Sequence, residues 1–301
     1  MANFILLLVS FTAGILLRRS GRFPAATPAA LNGFIIHISL PAVALLHVHR
    51  LKWDPAYLYA GLMAWVLFGL GVLFFRSVGR IFSLPGATTG ALILVGGLGN
   101  TSFVGLPMIE TWYGRDLLSV GVIADQLGSF MVLSTVGIAT AAAYSSGNLS
   151  WRQMARKILL FPPFQGLLIA LLLRPVPFHP VVETVLQRLA DTITPLALVS
   201  VGLQLRLVKL RGALKPLSLG LFYKLFLGPA LVTLLFAGLL GGEGEVMQVT
   251  VFEAAMAPMI TAGIIAVDHD LDPPLVTLML GIGIPLSFLT LPAWWWFLRG
   301  I

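Results

Sequence analysis

The sequence has no cysteine and few charged residues. Its cysteine count is 0, and charged residues make up 10% of the chain against 58% hydrophobic residues. Without cysteine, the chain cannot form disulfides, thiolate metal sites or a cysteine nucleophile. A soluble domain carries about a quarter charged residues, and so much apolar surface cannot be hidden in one globular core of this length. The composition therefore predicts an integral membrane protein, with lipid as its solvent.

Other absences narrow the function. The net charge is +7, but the basic residues form short clusters between apolar runs, without the aromatic interleaving of a nucleic-acid surface. We therefore expect no nucleic-acid partner. The chain also lacks a His-Glu-x-x-His zinc pattern, a Gly-x-Ser-x-Gly elbow and a glycine-rich phosphate loop with lysine. We expect no cofactor, no metal and no enzymatic activity, and an intramembrane enzyme remains a less favoured alternative.

Apolar segments long enough to cross a bilayer recur along the whole chain. The turns between them carry charge or glycine, and none could hold a soluble domain. The first segment is followed by Arg18, Arg19 and Arg22, the reverse of the charge order in a secretory signal, so we expect it to be retained as a helix. The sequence predicts ten spans, at residues 2–17, 31–48, 56–75, 86–112, 117–143, 158–175, 181–203, 217–240, 246–267 and 273–297.

Lysine and arginine are distributed unequally between alternate turns. If the N-terminus is outside, the cytoplasmic turns hold twelve of the 19 basic residues and the outer turns six, while Lys224 lies within the eighth span. Cytoplasmic loops are enriched in these residues. We therefore expect a multi-pass protein of the cell (inner) membrane with both termini outside. The cytoplasmic set is Arg18, Arg19, Arg22, Arg76, Arg80, Arg152, Arg156, Lys157, Arg206, Lys209, Arg211 and Lys215; the outer set is Arg50, Lys52, Arg115, Arg174, Arg188 and Arg299.

The two halves of the chain resemble each other. Residues 38–45 align with 192–199, a shift of 154, and the fourth and ninth spans fall in register at about the same shift. Because five spans per half is an odd number, the second half must be inverted in the membrane. Inverted repeats are a transporter architecture with the binding site at the repeat interface. The predicted units are 1–150 and 151–301, which together form one transmembrane unit.

Two spans cannot be regular helices throughout. The fourth carries four glycines and Pro107 within residues 96–107, and the ninth carries Pro258 and Gly263; both residue types weaken a helix. Interrupted segments at matching positions of two repeats indicate a binding site. The N-termini of half-helices present free N–H groups that suit a carboxylate. The alternative is a pair of ordinary proline kinks, with glycine for close helix packing.

The chain carries six motifs in a fixed order, at 99–107, Tyr113-Gly114, 195–202, 224–229, 253–256 and 271–273. Together they resemble the auxin efflux carrier family, which includes plant auxin carriers and bacterial organic-acid permeases. The resemblance covers essentially the whole chain. It implies an all-α fold of two inverted five-helix repeats, related to sodium/bile-acid symporters, in which the broken fourth and ninth spans cross. It also implies an organic anion as substrate. The family often has Met-Pro in the ninth span, whereas here Met256 is followed by Ala257 and Thr261 takes the polar position that follows.

We predict a substrate site where the breaks of the two spans meet. The amide of Asn100 has two N–H donors and no charge, so it can bind a carboxylate without the cost of a buried ion pair. The prolines release carbonyl groups from the helical ladder. Lys224 adds a positive field, unless its charge extends to the interface. The predicted substrate-binding residues are Asn100, Thr101, Ser102, Pro107, Pro258, Thr261 and Lys224.

Ionisable side chains within the membrane are costly and are functional hypotheses by default. Asp125, next to Gln126 in the fifth span, is our first candidate for carrying a coupling proton. Its alternative role is to fix helix packing through hydrogen bonds. Glu253 in the ninth span is the second candidate, unless it lies near the outer interface. Glu110, near the outer end of the fourth span, is expected to be solvated.

The sequence therefore predicts a permease that moves a small mono- or dicarboxylate by alternating access, with proton coupling as the first hypothesis. Sodium-coupled symport is the main alternative, and uniport is also left open. An anion channel is less favoured, since a channel is expected to repeat its filter around an oligomeric axis. The expected partners are the anion, the lipid bilayer and H⁺ or Na⁺ as coupling ion. A homodimer is left open.

Overall fold

A computed structural model describes residues 2–49, 54–145, 151–204 and 214–301. Regular structure in these ranges is helical, and the one extended contact is an isolated bridge between Gly99 and Pro258. Several helices contain short π-helical turns, which count as part of the helix. The helices are α1 (Ala2–Ser20), α2 (Thr27–Val48), α3 (Tyr57–Ile81), α4 (Gly86–Gly96), α5 (101–112), α6 (Arg115–Tyr144), α7 (Trp151–Leu159), α8 (Pro162–Leu172), α9 (Pro180–Ala190), α10 (Ile193–Gln204), α11 (Leu214–Leu239), α12 (Glu245–Ala254), α13 (Ile260–Asp268) and α14 (Pro273–Leu298).

Five of these helices are long and apolar enough to cross a membrane, namely α2, α3, α6, α11 and α14. The helices α4 and α8 are apolar but shorter. Large apolar side chains are exposed on the surface of the long helices, for example Leu73 and Leu289, as expected for side chains that face lipid. The prediction of an all-helical membrane protein is therefore confirmed, whereas the count of ten spans in two inverted repeats stays a prediction.

The fourth and ninth spans are interrupted, as the sequence predicted. The fourth is divided into α4, which ends at Gly96, and α5, which begins at residue 101. The ninth is divided into α12, which ends at Ala254, and α13, which begins at Ile260. Glycines of the fourth span and Pro258 of the ninth lie in these breaks, where they cost no helical hydrogen bonds.

The seventh span is also broken, which the sequence did not predict. Residues 181–203 were expected to form one helix, but α9 ends at Ala190 and α10 begins at Ile193. Pro195 explains the break, because its ring would collide with the carbonyl of Asp191 in a continuous helix. The aligned Pro41 has a different effect. There the helix widens into a π-helical turn, in which the amide of Leu40 bonds to the carbonyl of Ile35.

Two contacts tie the N-terminal half to the seventh span. The helices α1 and α10 approach so closely that a Cβ atom added to Gly202 would lie 2.5 Å from the carbonyl oxygen of Phe11 and 2.9 Å from Cα of Gly14. Small residues allow such approaches in membranes. The hydroxyl groups of Ser39 and Thr192 also lie 2.7 Å apart. Both residues belong to the segments that the repeat alignment pairs.

Several residues of the predicted turns lie outside the described residues. They are Arg50, Lys52, Arg206, Lys209, Arg211, Ser146, Gly147 and Asn148. The connection after the fifth span includes the helix α7.

Candidate functional site

The two broken spans are hydrogen-bonded to each other at their breaks. The amide of Asn100 donates to the carbonyl of Ala257 at 2.8 Å, and the amide of Met259 donates to the carbonyl of Leu98 at 3.2 Å. Gly99 and Pro258 lie between these bonds as an antiparallel bridge. The crossing satisfies backbone groups that membrane lipid could not. It also brings together the N-termini of α5 and α13, and with them the predicted residues Asn100 and Pro258.

Asn100 lies at the N-terminus of α5 and is 2% exposed. Its Oδ1 accepts a hydrogen bond from the backbone amide of Phe103 at 3.2 Å, which caps the helix. Its Nδ2 has no partner among the described residues. Because buried polar groups are nearly always paired, this amide leaves a hydrogen-bond donor available at the crossing.

Asp125 in α6, the predicted coupling acid, contacts two of the predicted substrate-binding residues. Its Oδ1 accepts hydrogen bonds from Thr101 Oγ1 and Ser102 Oγ, both at 2.5 Å. Its Oδ2 accepts from Gln126 Nε2 at 2.5 Å. Both carboxylate oxygens are thus engaged, and the acid is fixed to the start of α5. The Oε1 atom of Gln126 has no partner within the described ranges, which leaves an acceptor beside this cluster.

Lys224 of α11 lies at the other broken span. Its side chain is fully enclosed, so its charge does not extend to the interface. Its Nζ donates to the carbonyl oxygen of Ala254 at 2.6 Å, where α12 ends. A cation at a helix C-terminus is favourable because the terminal carbonyls carry partial negative charge. A Cβ atom added to Gly99 would lie 3.4 Å from Nζ, so this ammonium also adjoins the crossing.

Glu253 is the other acid of the site, and it is buried and not at the outer interface. Neither carboxylate oxygen has a hydrogen-bond partner among the residues described. Gly105 of α5 makes room for the carboxylate, since a Cβ atom there would collide with both of its oxygens. The glycines of the fourth span therefore serve the site as well as the break.

The two remaining predicted residues lie away from this cluster. Pro107 is buried within α5, where its carbonyl oxygen accepts a hydrogen bond from Thr111 Oγ1 at 2.7 Å. Thr261 lies in the first turn of α13 and is exposed. Ile264, one turn further along α13, is exposed as well. This face of α13 leads from the crossing toward one end of the molecule.

Two cavities adjoin this face at that end. One, of about 430 Å³, is lined by residues that include Arg18, Asn32 and Gln204. The other, of about 340 Å³, is lined by α13 and α14 and shares Gln204 and Ile264 with the first. Hydrogen bonds through Ser200 connect two of the polar lining residues. Ser200 Oγ donates to Asn32 Oδ1 at 2.5 Å, and Gln204 Nε2 donates to Ser200 Oγ at 3.1 Å.

A further polar cluster, which the sequence did not reveal, connects the fourth and seventh spans. Glu110, which we expected to be solvated, is buried. It accepts hydrogen bonds from Arg115 Nε at 3.0 Å and from Thr194 Oγ1 at 2.7 Å. Arg115 also pairs with Asp191 at 3.0 Å. The sequence indicated this cluster only through opposite charges, namely Arg115 near the start of the fifth span and Asp191 within the seventh.

Apolar helices that are broken and joined around buried charges define a multi-pass membrane protein of the transporter class. The chain belongs to the membrane transport protein family, which matches residues 1–295 and includes the auxin efflux carriers. The predicted resemblance is thus confirmed. The chain is similar to an uncharacterized transporter of Methanothermobacter thermautotrophicus, with 25% identity over 294 residues that cover 95% of this chain and 94% of the relative. An uncharacterized transporter of Methanocaldococcus jannaschii is 25% identical over 286 residues, 89% of each chain.

Proposed function

We propose that the protein is a secondary transporter of a small organic anion, a mono- or dicarboxylate, that works by alternating access and is coupled to protons. The observation that carries this proposal is the buried amide of Asn100 at the crossing of the two broken spans. Its Nδ2 has no partner among the described residues, and it lies beside the N-termini of α5 and α13. Helix N-termini and uncharged N–H donors together suit a carboxylate that must bind and also leave.

The electrostatics of the site favour an anion as well. The ammonium of Lys224 lies next to the crossing, and its positive field extends over the N-termini of the half-helices. The hydroxyls of Thr101 and Ser102 donate to Asp125, so they hold the start of α5 in place. Asn100 and the backbone amides are then the donors that contact the substrate.

We assign the coupling proton to Glu253. The sequence favoured Asp125, but the carboxylate oxygens of Asp125 accept three hydrogen bonds, which fix this acid to the start of α5. The carboxylate of Glu253 has no donor within the described part of the chain. An ionised carboxylate buried without donors costs several kcal/mol, and protonation removes that cost. Loss of the proton during the cycle restores a negative charge next to Gly105 of α5.

Alternating access requires two units that move against each other. We propose the inverted halves 1–150 and 151–301 as the architecture, supported by the hydrogen bond between Ser39 and Thr192, which joins the two aligned segments. The cavities along the exposed face of α13 are then the path from one side of the membrane. Arg18 in the lining of one cavity and the distribution of arginine and lysine favour the cytoplasm as that side, with both termini outside the cell membrane.

Sodium symport is the second candidate. Oxygen atoms of Asp125, Thr101, Ser102 and Gln126 lie close together within the membrane, and hard cations prefer oxygen ligands. In this alternative, Asp125 binds the cation and releases its hydroxyl donors.

The test is transport by purified protein in proteoliposomes. Uptake of radiolabelled mono- and dicarboxylates should saturate, show counterflow and respond to a pH gradient. A response to a sodium gradient at constant pH would select sodium symport instead. Ohmic current without counterflow would indicate a channel, and the absence of any transported carboxylate would contradict the proposal.

A further inference from the structure

A basic pocket lies outside the substrate site, at the end of the molecule where α3 ends. It has a volume of about 320 Å³, and its lining includes Arg76, Arg80, Ser83, Thr89 and Tyr144. Arg76 and Arg80 are one helical turn apart, so they project from the same face of α3. The pocket lining contains two guanidinium groups and three hydroxyl groups but, among the described residues, no carboxylate.

The two arginines are not neutralised by the described part of the protein. Neither guanidinium group forms an ion pair or a hydrogen bond with another described residue. The nearby acid Asp272 is engaged elsewhere, because it accepts hydrogen bonds from Thr88 Oγ1 at 2.6 Å and from the amide of Leu275 at 3.3 Å. A further cation, Lys215, lies 3.5 Å from the ring centre of Phe82, next to the pocket. The pocket therefore has an excess of positive charge.

The shape of the pocket is fixed by close packing. A Cβ atom added to Gly79 would lie 2.8 Å from Thr89 Oγ1, so α3 and α4 are in contact at its base. The turn after α3 is closed by a hydrogen bond of 2.9 Å from the amide of Leu84 to the carbonyl of Gly79. Exposed apolar side chains neighbour the two arginines along α3. Leu73, three residues before Arg76, is 67% exposed, and Ile81, next to Arg80, is 73% exposed. Such side chains contact acyl chains when the charged group above them lies at the headgroup level.

We propose that this pocket binds a phosphate group, and that its source is an anionic phospholipid. Guanidinium groups bind phosphate oxygens through paired N–H donors, and the hydroxyls of Ser83 and Tyr144 in the lining supply further polar contacts. Basic pockets between membrane helices on the cytoplasmic side are suited to lipid headgroups. The exposed side chains of Leu73 and Ile81 near the two arginines favour a lipid over free phosphate. This site is independent of the transported anion.

The test is lipid binding by the delipidated protein, measured by native mass spectrometry. Phosphatidylglycerol is titrated against phosphatidylcholine, and inorganic phosphate is titrated separately by thermal shift. The test variant is Arg76→Gln/Arg80→Gln. The matched control is Arg19→Gln/Arg22→Gln, which removes the same charge from exposed residues outside the pocket. Arg76→Lys/Arg80→Lys keeps the charge and removes the paired donors.

We expect the parent to prefer phosphatidylglycerol. The glutamine variant should lose about thirtyfold in affinity, or about fivefold per arginine, and the lysine variant should lose less. The control pair should keep the parent affinity. If inorganic phosphate binds the parent and the lipid does not, the pocket binds phosphate from solution, and the lipid assignment is overturned. Equal phosphatidylglycerol affinity of the glutamine variant and the parent, or an equal loss in the control pair, would overturn the proposal as a whole.

Discussion

The ammonium group of Lys224 lies 2.6 Å from the carbonyl oxygen of Ala254, the last residue of α12. Glu253, one residue earlier, is buried with no hydrogen-bond partner in the described part of the chain. The break of the ninth span thus holds a buried ammonium group that satisfies a carbonyl at the helix end. The neighbouring residue along α12 carries a buried carboxyl group without donors. Gly99 of the fourth span adjoins both the ammonium of Lys224 and the backbone carbonyl of Glu253.

Removing this ammonium group should be destabilising. We expect Lys224→Met to lower the free energy of unfolding by about 1–3 kcal/mol, because the buried carbonyl of Ala254 loses its donor. Equilibrium unfolding in mixed micelles measures the change. Since a protonated Glu253 carries no charge for Lys224 to balance, Lys224→Met/Glu253→Gln should show no recovery of the loss. The control is Lys215→Met, an exposed lysine at the end of the molecule. Parent-like stability of Lys224→Met would show that the hydrogen bond to Ala254 does not stabilise the fold.

Part of this arrangement could be predicted from the sequence. Glycine and proline density located both breaks, because these residues disrupt a helix through their own backbones. The intramembrane positions of Asp125, Lys224 and Glu253 followed from their apolar surroundings. All of these inferences depend on residues close to one another in the chain.

What could not be predicted depends on packing between distant segments. The sequence did not show that Asp125 accepts hydrogen bonds from Thr101 and Ser102, because that contact joins two different helices. It also did not show which of two aligned prolines would break its helix. Pro41 is accommodated by a π-helical turn whereas Pro195 accompanies a break, and the local sequences around them are similar. We predicted Thr261 at the crossing because it follows Pro258 closely in the sequence, but its side chain is exposed on α13.

The two buried acids should respond differently when each is replaced by its amide. In proteoliposomes, Glu253→Gln should abolish accumulation driven by a pH gradient and retain exchange of substrate, because the amide keeps the shape and cannot carry a proton. Asp125→Asn should retain accumulation, since Gln126 can rotate to present its oxygen to the new amide. The opposite pattern, with accumulation lost only in Asp125→Asn, would return the coupling function to Asp125.

Because the chain has no cysteine, single introduced cysteines can test its orientation in the membrane. Ser83 lies at the basic end of α3, and Glu243 lies near the other end, where the amide of Gly244 donates to the carbonyl of Ile301 at 3.3 Å. Both residues are exposed. In intact cells, an impermeant thiol reagent should label Glu243→Cys and should label Ser83→Cys only after permeabilisation. Labelling of Ser83→Cys alone in intact cells would place both termini in the cytoplasm.

Asn100 permits a test that separates substrate binding from helix capping. Asn100→Ala removes both the cap and the Nδ2 donor, so we expect binding to weaken by about 1.5–3 kcal/mol, the range for a hydrogen bond to a charged group. That is roughly ten- to more than a hundredfold in affinity. Asn100→Ser should keep the cap, because serine is a good N-cap residue, but it still lacks the amide donor.

The measurement is carboxylate affinity by titration of folded, monodisperse protein, together with the thermal midpoint of each variant. If Asn100 binds substrate, Asn100→Ser should have a thermal midpoint close to that of the parent and an affinity as weak as that of Asn100→Ala. Leu234→Ala, at a side chain that is 57% exposed on the surface of α11, is the control and should bind as the parent does. If Asn100→Ser regains both stability and affinity, Asn100 acts only as a cap for α5, and the substrate must be held by other donors at the crossing.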